Sequence, residues 1–181
     1  MKIEELSLDG VMLFESEDHK DQRGNFREWY RQSKMKAFLP REFEPRQANI
    51  SISKLNVIRG IHFSRAKAGQ AKLITCIQGS IQDIAVDLRP ASPTFGEWVE
   101  ADLSAESCRS IFIPDGYGHA FLSREPNTII TYLLSSEYSP NQEFALNPLD
   151  NAVGIKWKGE SYILSDQDKF AKNLNEVKFQ N

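Results

Sequence analysis

From residue 48 to residue 136 the chain repeats one pattern: a short run of apolar and β-branched residues, stopped by turn chemistry. The runs are "ANISIS" (48–53), "NVIRGIHF" (56–63), "KLITCI" (72–77), "IQDIAVDL" (81–88), "RSIFIP" (109–114), "GHAFLS" (118–123) and "TIITYLLSS" (128–136). Between them lie "QGS", "RPASPTFG", "PDGYG" and "REPN", rich in the Gly, Pro, Asn and Asp that reverse a chain. Runs this short, at this spacing, predict an all-β sandwich or barrel. Helical signals are confined to about residues 31–38 and to "SDQDKFAKNLNEV" (165–177), where Ser165 can act as N-cap with Asp168 three positions on.

With 181 residues and 40% hydrophobic content, the chain can bury one sizeable core, and no repeat or low-complexity tract divides it, so a single domain over 1–181 is expected. The formal net charge is -3 and basic residues are scattered without runs, which argues against nucleic acid as a partner. No apolar run approaches the roughly 18 residues of a membrane helix. The start, "MKIEELSLDG", lacks the apolar region of a signal peptide, and a cytoplasmic protein is expected. Cys76 and Cys108, the two cysteines, then read as reduced residues rather than a disulfide framework.

Side-chain alternation shows which residues look into the same space. In 47–53 one face carries Gln47, Asn49, Ser51 and Ser53 and the other Ala48, Ile50 and Ile52, which by itself fits a strand with one wet side. Lys72, however, begins a face that continues through Ile74 and Cys76, and Tyr132 shares a face with Thr128, Ile130 and Leu134. Polar groups set among apolar ones point to a lined cavity. Arg59 and His62 are three apart and would face opposite ways on a regular strand; a bulge at Gly60 would turn both toward one pocket. Taken alone, His62 fits a structural histidine as well as a catalytic one.

Other chemistries find little support. The three histidines, His19, His62 and His119, form no H-x-H or H-x-x-x-H pair, and the cysteines form no C-x-x-C, so no metal is expected. There is no G-x-S-x-G elbow, dinucleotide fingerprint or Walker loop.

The segments "DQRGNFRE" (21–28), "QANISIS" (47–53), "VIRGIHF" (57–63), "GQAKLITCIQGSIQDIAVDLRPASPTFGEW" (69–98), "IFIPDGYGHAFLS" (111–123) and "YILSDQD" (162–168) resemble the dTDP-4-dehydrorhamnose 3,5-epimerase family across nearly the whole chain. The resemblance implies a cupin-like jelly roll (a double-stranded β-helix) with short flanking helices, working as a homodimer without cofactor or metal. It implies a dTDP-4-keto-6-deoxyhexose as substrate, in deoxysugar biosynthesis of the dTDP-rhamnose type. A ketone at C4 acidifies the C–H bonds at C3 and C5, so epimerisation needs a base on one face, an acid on the other and a partner for the enolate oxygen.

By its match to "RGxH", His62 would be the base; Tyr132, thirteen residues after the histidine of "GHAF", would be the acid; Lys72 would hold the oxyanion. Asp168, in "LSDQD", would orient His62, although it also occupies a capping position, and Asp83 is the alternative partner. Arg23 and Glu28 match "DxRGxFxE". Gln47, Asn49, Arg59, His119 and Glu143 match substrate contacts, and Tyr138 matches an aromatic that stacks on thymine. Gln167 replaces the family's lysine. In the family part of each pocket comes from the partner subunit. "HFSRAKAGQAK", "GHAFLS" and "LNPLD" look more like members acting at C3 alone, and whether C5 is also inverted stays open. Two alternatives are a sugar-nucleotide 3,4-ketoisomerase of the same fold and a non-catalytic carbohydrate-binding barrel.

Overall fold

The structure, a computed structural model, describes residues 1–39, 43–66 and 69–179; Lys67, in the segment "HFSRAKAGQAK", lies outside the described residues. The chain begins with strands β1 (Lys2–Glu5), β2 (Met12–Glu15), β3 (His19–Asp21) and β4 (Gly24–Phe26) and one helical turn, α1 (Gln32–Met35). The main strands follow: β5 (Gln47–Ser53), β6 (Ile58–Ser64), β7 (Lys72–Gln78), β8 (Ser80–Asp87), β9 (Trp98–Ser104), β10 (Arg109–Ile113), β11 (Tyr117–Ser123), β12 (Thr128–Leu134) and β13 (Glu143–Ala145). A second turn, α2 (Asp166–Lys169), and a 3-10 turn at Leu174–Glu176 come last.

Two antiparallel sheets result, a six-stranded one in the order β1-β2-β10-β7-β12-β5 and a five-stranded one in the order β13-β6-β11-β8-β9. From β5 to β12 the chain passes repeatedly between them, with β5, β7, β10 and β12 in one and β6, β8, β9 and β11 in the other. This is the expected jelly roll. The β3–β4 hairpin stands apart as a two-stranded sheet.

The core fills the space between the sheets with Ile74, Cys76, Ile81, Ala85, Leu103, Ile111, Phe121 and Ile130. The outer side of the five-stranded sheet is covered too, by a cluster that joins Ile61, Ile84, Val86 and Ala120 to Leu146, Val153 and Leu174. Strand β8 is therefore buried along almost its whole length, and its polar residues Gln82, Asp83 and Asp87 are hydrogen-bonded to Glu100, His119 and Arg89, as buried polar groups require. On the six-stranded sheet, Met35 and Leu39 from α1 and its exit pack with Phe43 against Phe14, Leu73 and Phe112. Cys76 and Cys108 are both buried and free.

The edge strand β5 inverts the usual arrangement. Its polar row, Gln47, Asn49, Ser51 and Ser53, is partly or fully buried, whereas Ile50 and Ile52 are 69% and 61% exposed. They pair with Thr131 and Ile129 of β12.

Gly60 sits at the expected bulge. His119 faces His62 while Phe121 faces Arg59, so three steps along β6 match two along β11. Its φ is +119°, and a Cβ there would lie 2.5 Å from both Ala120 Cβ and the His119 carbonyl oxygen. Glycine alone fits. The predicted C-terminal helix differs: it is two separate turns, because Lys172 leaves the helical path to bridge Leu146.

Candidate active site

The two sheets part at one end into a cleft of about 270 Å³. Gln47 and Asn49 enter it from β5, Lys72 from β7 and Tyr132 from β12, all in the six-stranded sheet. His62 enters from β6 of the opposite sheet, with Glu143 and Phe144 from β13. Tyr138 and Pro140, in the loop after β12, and Gln167 of α2 close the rim.

His62 Nε2 lies 2.7 Å from Asp168 Oδ1, with the imidazole 40% exposed and the carboxylate 3%. The other Asp168 oxygen accepts the Gly60 N–H at 3.4 Å. Burial pushes the Asp168 carboxyl up, but the hydrogen bond and charge of His62, helped by the Gly60 N–H, outweigh it and hold the group below its ordinary value. An ionised Asp168 accepts the Nε2 proton and leaves Nδ1 as the basic nitrogen. Ser165 caps α2 as expected, its Oγ accepting the Asp168 backbone N–H at 3.1 Å, while the carboxylate that a capping acid would use is turned to His62 and Gly60. Backbone and carboxylate serve different partners.

Asp83, the alternative partner for His62, is instead bound to His119, with Oδ2 2.9 Å from Nε2. It is fully buried; burial drives its carboxyl up against the opposing pull of His119 and Lys72. Lys72 is also buried, and desolvation lowers its ammonium to about 8, partly offset by the charges of Glu143 and Asp83. Its Nζ donates to the His62 carbonyl at 3.1 Å.

Gln47 is held at both ends of its amide, Nε2 donating to Asn49 Oδ1 at 2.9 Å and Oε1 accepting the Tyr138 N–H at 2.8 Å. It thereby anchors the loop that carries Tyr138, a residue 61% exposed.

Four predicted contacts do not line the cleft of this chain. Arg23 sits on the exposed β3–β4 hairpin, ion-paired to Asp21, and Glu28 pairs with Arg31 and Lys34. Arg59 turns to the far end of the polar row, where Nε donates to Ser53 Oγ and Nη2 to the Ile52 carbonyl, both at 3.1 Å. His119 is buried with Asp83. Gln70 is the opposite case: it lines the cleft and was missed, although its place two residues before Lys72 puts it on the same strand face. Among the described residues no group of three or more His, Cys, Asp or Glu is arranged to hold a metal.

A sequence profile for the dTDP-4-dehydrorhamnose 3,5-epimerase family matches residues 5–176. The chain belongs to that family. It is 39% identical over 178 residues to a dTDP-4-dehydrorhamnose 3,5-epimerase of Mycolicibacterium smegmatis, covering 98% of this chain and 88% of the relative. It is 38% identical over 170 residues to a dTDP-4-dehydro-6-deoxyglucose 3-epimerase of a Streptomyces species, covering 93% and 87%. The 3'-monoepimerase ChmJ of Streptomyces bikiniensis, solved with dTDP-quinovose, superposes with a TM-score of 0.90 at 37% identity, over 94% of this chain and 86% of that one. The 3,5-epimerase family thus includes relatives of this chain named for action at one carbon and at two. Within the described residues no helix is long and apolar enough to cross a membrane.

Proposed function

We propose that this protein inverts C3 of a dTDP-4-keto-6-deoxyhexose by cofactor-independent proton transfer. The observation that carries the reading is the opposition of His62, backed by Asp168, on one sheet to Tyr132 and Lys72 on the other. His62 Nδ1 takes the proton from C3, and the C–H electron pair moves into the C3–C4 bond as the C4 carbonyl becomes an enolate. The Lys72 ammonium meets the new negative charge on oxygen. The enolate then collapses, and C3 takes the Tyr132 hydroxyl proton on its other face. His62 releases its proton to water and the phenolate recovers one, so the enzyme returns to its starting state. Inversion at C5 follows the same logic if the ring presents that carbon.

The nucleotide half of the substrate needs cations and an aromatic surface. Tyr138 supplies the surface at the rim, and Arg59 lies along the polar row. Arg23 and Glu28 we assign to the cleft of a second copy in a homodimer. An exposed hairpin carrying Arg23 and a 66% exposed Phe26, together with the outward Ile50 and Ile52, supports that assignment. We also infer a cytoplasmic location, which fits two cysteines held free and buried.

The test is His62→Ala. The variant should still bind dTDP, yet lose both solvent deuterium exchange at C3 and epimerisation by roughly 10²–10⁴. Exchange at the wild-type rate would overturn the assignment of the base.

A further inference from the structure

Gln70 lies at the foot of the cleft, 6% exposed. Its backbone is fixed by the residue after it, since the Ala71 N–H donates to Ser135 Oγ at 2.8 Å and the Ala71 carbonyl accepts the Ser135 N–H at 3.0 Å. Its side-chain nitrogen donates to Glu143 Oε1 at 3.0 Å and to Ser136 Oγ at 3.4 Å. Both amide hydrogens are thus engaged, one of them on a carboxylate.

The buried ammonium of Lys72 lines the same cleft. Opposite charges in a partly desolvated space attract strongly. Among the described residues, however, neither Glu143 nor Lys72 makes an ion pair; Glu143 is bound by the neutral amide of Gln70, and Lys72 by the His62 carbonyl.

We propose that Gln70 is a positioning residue that tethers Glu143 away from Lys72, keeping the ammonium unpaired for the enolate oxygen. The proposal rests on the reading of Lys72 given above. A Glu143–Lys72 ion pair would have to break in every turnover, and its strength would be subtracted from the stabilisation of the transition state. Gln70 avoids that competition while leaving the Glu143 charge near enough to support the protonated amine. The other groups that face Lys72 make no hydrogen bond to Gln70: His62 on β6 with Asp168 behind it, Asp83 on β8 bound to His119 on β11, and Tyr132 on β12.

The ionisation of Lys72 can be followed without turnover, by NMR of protein labelled at the lysine Cε carbons, with the signal assigned by its loss in Lys72→Arg. In Gln70→Leu and in Gln70→Met, which removes the amide but keeps the chain length, the Lys72 midpoint should rise from about 8 by at least about one pH unit, a tenfold change. kcat should fall about tenfold or more. Adding Glu143→Gln to either variant should bring the midpoint back to the wild-type value or below. An unchanged midpoint in a folded variant, or a raised one that Glu143→Gln does not reverse, overturns the proposal. So does failure of both variants to fold, which would make the amide a folding requirement. Loss of the His62 assignment would leave this titration intact, so the two readings fail separately.

Discussion

A proton removed and returned on the same side of a planar enolate regenerates the starting sugar, so inversion depends on what faces His62 across the cleft. Tyr132→Phe keeps the ring and removes only the hydroxyl. It should retain the fold, dTDP binding and exchange of solvent deuterium into C3, while inversion there falls by orders of magnitude; NMR of the recovered sugar separates the two. Inversion at the wild-type rate would assign the proton to another donor. Lys72 gives a second outcome. Its ammonium, lowered to about 8 by burial, loses charge as pH rises, so kcat/KM should fall on the alkaline side with a midpoint near 8. Lys72→Arg should move that limb upward, because a guanidinium keeps its proton past about pH 12. At this scale the sequence pointed to a lined cavity, and His62, Lys72 and Tyr132 do line one cleft. The spacing to Lys72 put Gln70 on the cleft face, but its partners lie 66 and 73 positions away and carry no local pattern. Asp168 shows a third situation: Ser165 caps its backbone N–H, and the carboxylate that a capping acid would have used is bound to His62 instead.

Among the elements, the turn from β8 to β9 is organised by one carboxylate. Asp87 has no exposed surface; it accepts the Arg89 backbone N–H and Nε at 3.0 Å, Nη2 at 2.8 Å, and the hydroxyls of Ser92 and Thr94 at 2.6 and 2.7 Å. Burial alone would raise its carboxyl, but the Arg89 and Ser92 hydrogen bonds bring it down to about 2, below the roughly 3.9 of an unfolded aspartate. The unfolded chain therefore binds more protons between those values, and the stability Asp87 contributes is complete above about pH 4 and is lost as pH falls through about 2. Asp87→Ala should lose roughly 2–4 kcal/mol at pH 7 in urea unfolding, with a smaller difference from wild type at pH 2. The strands around this turn were unequally legible. Those from β5 to β12 announced themselves through apolar runs, except β9, where Glu100 and Asp102 alternate with Val99, Ala101 and Leu103 and lower the apparent strand content. The first four strands are three or four residues long, too short for periodicity to register. Gly60 was readable because a glycine within a strand pattern has few other uses.

For the whole molecule, the division of the site between copies is the property to measure. If Arg23 serves the cleft of a second copy, then His62→Ala and Arg23→Ala, each nearly inactive, should complement when refolded together. Half of the dimers would be mixed and each would hold one intact site, giving about a quarter of wild-type turnover. A mixture no more active than its components would return Arg23 to its own chain. The jelly roll and the cleft were legible from one sequence because each is made within one chain; the placing of Arg23 and Glu28 was not, since no pattern along a chain states which copy receives a side chain. The inverted faces of β5 have a further effect that does not involve the sugar at all. A strand with an open backbone edge, and Ile50 and Ile52 turned to water, is a template on which partly folded chains can zip together. During synthesis, recovery of native protein is then a race between orderly pairing and precipitation, and a slow, cool expression regime favours the former.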